Sequence, residues 1–259
     1  MSPWLAVLVS AAAALAAHRA RALTGGGALA AAAIGLAVLS GTGWPGAAAL
    51  GTCFLSSTLV SRWAPEPNRE AKGTRRDHRQ VLANGGPAGI GGLIGLVDPS
   101  AGLWVVTAGL AAAAADTWAT SLGGWSRRPP RHLLTGQRVP PGTNGGVSLL
   151  GTTGGFTGAL LVAIAGGCVG HSPLLVPVAA LVGFVGMLAD SLLGAAVQGR
   201  FRCPRCDEPS EWRTHRCGTV TLAQGGWTWL DNDGVNAVAT ALGAFGGWAA
   251  WALSGGSAW

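Results

Sequence analysis

The stretch Ala108-Gly-Leu-Ala-Ala-Ala-Ala-Ala-Asp116-Thr-Trp-Ala119 places a carboxylate directly after an uninterrupted apolar run. The pattern recurs at Asp190, which follows Val-Gly-Phe-Val-Gly-Met-Leu-Ala, and at Asp231-Asn-Asp233, which opens the last apolar run. A carboxylate at the centre of a bilayer costs about 2.5–3.5 kcal/mol on insertion scales, so its presence there indicates a function. The sequence therefore predicts membrane helices that carry a polar site.

The composition is typical of a membrane protein, with 11% charged and 49% hydrophobic residues in a chain of 259. Soluble domains carry about 25% charged residues. We expect an all-α, polytopic integral membrane helical bundle of about eight transmembrane helices, with roughly six or seven as alternatives. Residues 1–259 would form a single transmembrane domain. The predicted spans are Met1–Ala17 (a retained helix, not a cleaved signal), Leu23–Leu39, Trp44–Val60, Val81–Val97, Ala101–Ala115, Gly145–Val169, Pro173–Ala189 and Val235–Leu253.

Arginine and lysine lie almost wholly in alternate loops, which is the positive-inside pattern. This pattern places the active site on the cytoplasmic face of the cell inner membrane and, given eight spans, both termini outside. The net charge of +6 does not indicate nucleic acid as a partner, because there is no basic, folded soluble domain to hold a duplex. The basic loops are His18–Arg21, Arg62–Arg79, Arg127–Arg138 and Arg200–Arg216.

The helix predicted around Asp116 leads towards a glycine-rich turn. Asp116 and Thr120 share a helix face at i, i+4, and Gly123-Gly124 could end that helix. The segment Gly142–Gly146 runs directly into the next helix, where exposed N–H groups bind anions and glycine lets phosphate approach the backbone. The alternative is an ordinary loop with an ordinary cap. The candidate phosphate ligands here are Thr120, Gly142, Thr143, Asn144, Gly145 and Gly146, with Thr143 or Asn144 as the cap.

The remaining acidic motifs add oxygen ligands. Asp190 and Gly194 share a face, so a substrate or another backbone could lie against Gly194. At the start of the last helix, oxygen ligands suit Mg²⁺, which is usually held by one or two carboxylates together with substrate phosphates. The alternatives are that Asp190 reaches water and that Asp231 is a helix N-cap. The polar group at the last helix comprises Asp231, Asn232, Asp233 and Asn236.

A basic stretch precedes the third predicted span. If it is helical, its cations form one stripe, and guanidinium groups bind phosphate in bidentate pairs. The alternative is that these charges only set the topology. The candidate phosphate ligands are Lys72, Arg75, Arg76, Arg79 and, further along, Asn84 and Arg138.

Four metal-ligand residues lie within the predicted cytoplasmic loop 200–226. Cys203-Pro-Arg-Cys206 is followed by His215-Arg-Cys217, a pattern that offers four ligands to a tetrahedral structural Zn²⁺. A cytoplasmic position disfavours a permanent disulfide. The spacing of the second half departs from the usual C-x-x-C.

Several of these motifs, in this order from about Lys72 to Ala244, resemble a polytopic membrane family that includes the plant phytyl-phosphate kinase of tocopherol synthesis. The chain departs from that family at Ser121, where an acidic residue is expected. More distantly, Asp116-x-x-Ala119-x-x-x-Gly123 with a glycine turn looks like the signature of dolichol kinases and phosphatidate cytidylyltransferases. The motifs are Arg79-Gln-Val-Leu-Ala-Asn-Gly-Gly86, Asp116-Thr-Trp-Ala, Val139-Pro-Pro-Gly-Thr-Asn-Gly-Gly-Val-Ser-Leu-Leu-Gly151, Asp190-Ser-Leu-Leu-Gly-Ala and Trp229-Leu-Asp-Asn-Asp.

The resemblance implies an isoprenoid-phosphate kinase. A nucleoside triphosphate such as CTP would donate its γ-phosphoryl group, with Mg²⁺, to a lipid monophosphate, and membrane lipids would surround the protein. The four aspartates Asp116, Asp190, Asp231 and Asp233 would share the Mg²⁺, and the arginines and Lys72 would hold phosphates. The alternatives are a cytidylyltransferase and an ion-coupled transporter, since acidic residues in broken membrane helices also mark carriers.

Overall fold

The computed structural model describes residues 2–65, 75–210, 213–215 and 217–256. Within these residues the chain forms a bundle of long helices joined by loops that carry two small antiparallel sheets. The helices are α1 (Pro3–Arg19), α2 (Gly25–Trp63), α3 (His78–Gly95), α4 (Pro99–Gly123), α5 (Leu149–Val169), α6 (Leu175–Ala196) and α7 (Asn232–Leu253). The strands are β1 (Arg131–His132), paired with β2 (Gly146–Val147), and β3 (Arg200–Arg202), which lies between β4 (Pro209–Ser210) and β5 (Leu222–Gly225).

The long helix α2 is two antiparallel helices joined at Gly43. Gly43 has φ 63° and ψ −149°, a conformation that glycine adopts far more readily than other residues, and Pro45 follows it. Beyond this break the chain returns, because Arg62 donates a 2.9 Å hydrogen bond from Nη2 to the carbonyl of Ala20, just before α2 begins. The two halves correspond to the predicted spans Leu23–Leu39 and Trp44–Val60.

Helix α4 lies at the centre of the bundle. All residues from Ala101 to Ala115 are buried, and α4 packs against α2, α3, α5, α6 and α7. A helix that is apolar on every side is expected in such a position. Its small residues permit close approach: a Cβ on Gly243 of α7 would lie 3.0 Å from the carbonyl oxygen of Ala108. Asp116 therefore lies on α4 directly after the segment whose residues are all buried in the core.

Three of the helices in the described part of the chain, α2, α5 and α6, are long and apolar enough to cross a membrane by length and composition, and α1 is a shorter apolar helix. Because α2 consists of two halves, the helices α2, α5 and α6 provide four apolar segments of spanning length or somewhat less. The number of about eight transmembrane helices stays a prediction.

The basic loops meet on one face of the bundle, which we call the loop face. Arg75 donates to the carbonyl of Leu23, joining the first two basic loops. Arg79 pairs with Asp231 at 2.8 Å, joining the second basic loop to the start of α7, which ends the connection that carries the fourth. Gly145 packs against Ala195, which brings the third loop to the end of α6. The alternation of charge in the sequence thus corresponds to one shared surface.

The chain is mostly helical, as the all-α prediction expects, and its polar loops add the short paired strands β1 to β5. Two local predictions were wrong. Helix α5 starts at Leu149 and not at Gly145, because Ser148 is the N-cap and its Oγ accepts a hydrogen bond from the N–H of Gly151 at 3.1 Å. Thr143 and Asn144 are therefore not caps. Helix α3 starts at His78 after the N-cap Asp77, so Arg75 and Arg76 do not continue a helical stripe with Arg79.

Candidate active site

A polar cleft of about 160 Å³ opens on the loop face. The ends of α4 and α6 and the starts of α5 and α7 form its walls, and the loop between α4 and α5 covers one side. Of the predicted site residues, it brings together Asp116, Thr120, Gly142, Thr143, Asn144, Gly145, Gly146, Asp190 and Asn232.

The acidic wall of the cleft comes from α4 and α6. Asp116, Thr120 and Gly123 line it from α4, as their spacing on one helix face predicts. Asp190 lines it from α6, one turn before Gly194. Both carboxylates are half-buried. Two carboxylates on one cleft provide the hard oxygen ligands that Mg²⁺ shares with substrate phosphates.

The glycine turn is held by backbone hydrogen bonds within the loop between α4 and α5, and it packs against the end of α6. The N–H of Leu133 donates to the carbonyl of Gly145 at 2.8 Å, and the N–H of Gly146 donates to that of Thr143 at 2.9 Å. Gly145 has φ 73°, and a Cβ at this position would collide with Ala195. The turn therefore requires glycine, and its backbone lies on the cleft directly before the capped start of α5, where N–H groups favour anions.

Gln198 is a cleft residue that was not among the predicted ligands. Its side chain is only 4% exposed, and its Nε2 has no hydrogen-bond partner among the described residues. Gln198 follows the end of α6 at Ala196 and pairs through its backbone with Trp227, so helical periodicity could not have identified it. A buried amide donor on an anion site stabilises a ligand oxygen, since an unpaired donor is costly. Ser148 and Ser191 also line the cleft.

The acidic residues at the start of α7 have different surroundings. Asp231 is the N-cap, accepting from the N–H of Gly234 at 3.0 Å, and its other oxygen pairs with Arg79 at 2.8 Å. Asp233 and Asn236 are buried and do not line the cleft. Asn232 is the one predicted ligand of this motif that lines the cleft.

The predicted phosphate ligands of the basic stretch are spread over the loop face. Arg75 binds the carbonyl of Leu23, and Arg79 pairs with Asp231. Asn84 donates to the carbonyl of Gln80 at 2.9 Å. Arg138 is exposed and pairs through its backbone with β1. None of these residues, nor Arg76, lines the cleft, and Lys72 lies outside the described residues.

The four predicted zinc ligands come together in the loop between α6 and α7. The ligand atoms of Cys203, Cys206, His215 and Cys217 all lie within 4.8 Å of one another. The sulfur atoms of Cys203 and Cys217 are 3.6 Å apart, close to the spacing of about 3.8 Å that tetrahedral Zn–S bonds of about 2.3 Å impose. The donor set and its geometry therefore fit a tetrahedral metal ion.

Groups around these ligands favour metal binding. His215 places Nδ1 3.2 Å from the sulfur of Cys217 and Nε2 3.3 Å from Oε2 of Glu208, and such an outer carboxylate orients metal-bound histidines. Hydrogen bonding with Thr219 and His215 lowers the pKa of Cys217 to about 5. By contrast, hydrogen bonding with Cys217 raises the pKa of Cys206 to about 11, which opposes metal binding because a ligating thiol must lose its proton.

Within the described residues, this Cys/His cluster is the only group of three or more His, Cys, Asp or Glu close enough to hold a metal ion.

The four predicted Mg²⁺ ligands fall into two groups. Asp116 and Asp190 share the cleft, whereas Asp231 and Asp233 lie at the start of α7. Ser121, where the resemblance led us to expect an acidic residue, is buried and does not line the cleft.

Comparison with known proteins identifies the family. The model of a family described as Integral membrane protein DUF92 matches residues 8–244, so this chain belongs to that integral membrane family. This confirms the resemblance to the family that includes the plant phytyl-phosphate kinase.

Two curated relatives match over part of their length. Protein PGR of Arabidopsis thaliana is 33% identical over 142 residues, which are 50% of this chain and 48% of that protein. An uncharacterized membrane protein of Methanocaldococcus jannaschii is 33% identical over 139 residues, which are 53% of this chain and 58% of that protein. The chain thus spans about half the length of the curated relatives it matches. No solved structure matches it.

Proposed function

We propose that this protein is a membrane-embedded isoprenoid-phosphate kinase. It transfers the γ-phosphoryl group of a nucleoside triphosphate, CTP being the first candidate, to a lipid monophosphate. The observation that carries the proposal is the cleft in which Asp116 and Asp190 face the glycine turn Gly142–Gly146. The positive-inside charge pattern supports a cytoplasmic position for this loop face and an inner-membrane location for the bundle.

The reaction needs positioning and charge neutralisation more than it needs a base. An oxygen of the acceptor phosphate bonds to the γ-phosphorus while the bond from that phosphorus to the bridging oxygen of the β-phosphate breaks. The products are the lipid diphosphate and a nucleoside diphosphate. The acceptor is already anionic, so no side chain has to remove a proton for the attack. Mg²⁺, when bound, neutralises charge on the transferring phosphates.

Each wall of the cleft has a part in this reaction. Asp116 and Asp190 hold the metal ion, with Asn232 as a neutral oxygen ligand. The backbone of Gly142–Gly146 and the start of α5 hold the polyphosphate, and Gln198 donates to one of its oxygens. Arg79 and Arg138 lie on the same face and attract anions over a distance of about 8 Å at physiological salt.

The test is an assay of the purified protein with labelled nucleoside triphosphates and a panel of prenyl monophosphates. The kinase proposal expects Mg²⁺-dependent formation of prenyl diphosphate and nucleoside diphosphate. Release of pyrophosphate with a cytidylated lipid would instead indicate a cytidylyltransferase. Uptake driven by a proton or sodium gradient, with no phosphoryl transfer to any acceptor, would favour a transporter.

We also propose that the Cys/His cluster binds one structural Zn²⁺. Four protein ligands fill a tetrahedral site and leave no position for a substrate. The loop that carries the cluster joins α6 to α7, where the N–H of Gly199 donates to the carbonyl of Leu230 at 3.0 Å. A metal ion bound in this loop would therefore help to hold the end of α6 and the start of α7, two walls of the cleft, at a fixed distance.

A further inference from the structure

A second cavity lies apart from the cleft, between α1, both halves of α2, and α3. It is a groove of about 220 Å³. Small and apolar side chains form most of its walls, among them Ala13, Ala31, Leu50 and Phe54, and Gly51 adds a gap in the wall. Its end at the loop face is polar, with Arg76, Gln80 and Asn84. The groove is thus apolar along its length and cationic at one end.

Arg76 differs from the arginines on either side of it. Arg75 and Arg79 bind a carbonyl and a carboxylate of the protein. The guanidinium of Arg76 lies over the ring of Phe54, 6.0 Å from its centroid, and makes no hydrogen bond or ion pair within the part of the chain that the structure describes. A guanidinium has five N–H donors and suits phosphate oxygens. Its charge is therefore available to an anionic group at the end of the groove.

We propose that this groove binds the hydrocarbon chain of the acceptor lipid monophosphate, with Arg76 on the phosphate group. The identity of the lipid as the acceptor rests on the proposed function. The ligand that matches is an amphiphile with one anionic group and one chain. The cavity is smaller than the roughly 300–1,000 Å³ of most ligand pockets, so it holds part of one chain and leaves the rest in the bilayer.

The groove and the cleft are connected across the start of α3. Arg79, in the first turn of α3, is three residues beyond Arg76 and pairs with Asp231. The next residue, Asn232, lines the cleft. A phosphate held by Arg76 would therefore lie on the loop face, beside the Arg79–Asp231 pair and on the same surface as the glycine turn. The groove would thus hold the acceptor phosphate on the same face of the bundle as the polyphosphate of the nucleotide.

Two substitutions fill the groove from opposite walls. A Cβ added to Gly51 has no heavy atom within 4 Å, so Gly51→Leu extends into open space without a backbone clash. Ala13→Leu narrows the groove from α1, where Ala13 is exposed. The matched control is Ala33→Leu, an exposed residue of α2 that is not part of the groove wall. All three substitutions enlarge a side chain on a helix, but only Gly51→Leu and Ala13→Leu do so inside the groove.

The experiment measures binding of radiolabelled farnesyl monophosphate to the full chain in detergent micelles. Gly51→Leu and Ala13→Leu should each weaken binding roughly tenfold or more, as when about two methylene groups leave an apolar site. Ala33→Leu should bind like the unmodified protein. Arg76→Ala should weaken binding at least about tenfold, as for loss of a charge-assisted hydrogen bond, and should leave farnesol binding unchanged. Unchanged thermal unfolding midpoints would show that each variant is folded.

Different outcomes test the groove and the kinase separately. Unchanged binding in both groove-filling variants would overturn the groove as the site. Equally tight competition by dioleoyl phosphatidate would show that a bulk membrane lipid is the occupant, and inhibition by inorganic phosphate alone would show that the chain is not recognised. Asp116→Asn should bind farnesyl monophosphate normally. Binding that depends on Gly51, without transfer from any nucleotide, would support the groove and contradict the proposed kinase.

Discussion

The cleft between α4 and α6 and the start of α7 each contain two aspartates, yet the surroundings of the two pairs differ. Asp116 and Asp190 line a cavity opposite a glycine turn. Asp231 caps α7 and pairs with Arg79, while Asp233 is buried away from the cleft. The first pair has a ligand-sized space before it. The second has structural roles that account for at least Asp231.

This difference shows how a carboxylate in a membrane protein should be interpreted. Its cost in a bilayer indicates a reason for its presence, but a helix cap with an arginine partner is already such a reason. A carboxylate that lines a cavity, beside a backbone turn that requires glycine, lies where a ligand can reach it.

The largest effect is expected for Asp116→Asn, which keeps the shape of the side chain and removes its charge. If Asp116 holds Mg²⁺ on the polyphosphate, turnover should fall at least about a hundredfold, because electrostatic stabilisation of the transferring group is lost. Steady-state kinetics of prenyl diphosphate formation would measure this. Asp190→Asn and omission of Mg²⁺ should have similar effects.

A matched control for Asp116→Asn lies at the other end of the same helix. Asp98 is the N-cap of α4, accepting from the N–H of Ala101 at 2.9 Å, and asparagine caps a helix about equally well. Asp98→Asn should therefore leave both turnover and stability close to normal. Normal turnover in the Asp116 variant, with Asp98→Asn as reference, would defeat the assignment of the cleft as the active site.

The sequence predicted at which end of the bundle the polar residues lie better than it predicted which neighbour or cavity each side chain faces. Apolar length and alternating charge indicated which ends of the helices meet, and the structure brings the basic loops to one face. The direction of Asp233 could not be predicted in the same way. On an amphipathic helix, periodicity identifies the buried face. Helix α7 packs on several neighbours through glycine and alanine, so the sequence does not show which of its faces the polar residues share with the cleft.

The local motifs were predicted with unequal success for a related reason. Cys203, Cys206, His215 and Cys217 lie close together in the chain, and short spacing limits where their ligand atoms can be. The start of α5 depended on a pairing between β1 and β2, which joins residues on both sides of a long loop. Because that pairing is not local, the sequence favoured a cap at Thr143 or Asn144, and Ser148 was overlooked.

The second prediction concerns the loop that fixes α6 relative to α7. Purified protein should contain about one equivalent of zinc per chain, and Cys203→Ser/Cys206→Ser should lose it, because two of four ligands are removed. Metal analysis would measure the content, and the thermal unfolding midpoint should fall. Cys168→Ser, which changes an exposed cysteine of α5 outside the cluster, should retain the metal. A metal-free protein that is fully folded and active would remove the zinc claim.

The third prediction uses two glycines with the same backbone conformation. Gly145 and Gly136 have φ of 73° and 67°, so alanine at either costs about 1–2 kcal/mol in backbone strain. Only at Gly145 would the added Cβ collide with Ala195, while at Gly136 it meets nothing within 4 Å. Gly145→Ala should therefore lower turnover roughly tenfold by displacing the phosphate-binding turn. Gly136→Ala should lower stability alone. Equal turnover in the two variants would exclude the turn from the site.

The smallest effect is expected for Asp231→Asn, and it tests the comparison most directly. Asparagine preserves the cap, and the lost ion pair is partly exposed, with 61% of the Arg79 side chain and 27% of the Asp231 side chain accessible. Such a pair contributes about 1 kcal/mol or less, so unfolding should change by no more than that. Asp231→Ala, which also removes the cap, should cost about 1 kcal/mol more. Turnover of Asp231→Asn should fall less than about tenfold, because Asn232 keeps its place on the cleft. A loss as large as that of Asp116→Asn would mean that Asp231 leaves Arg79 to bind the metal ion during turnover, and the two pairs of aspartates would then act as one site.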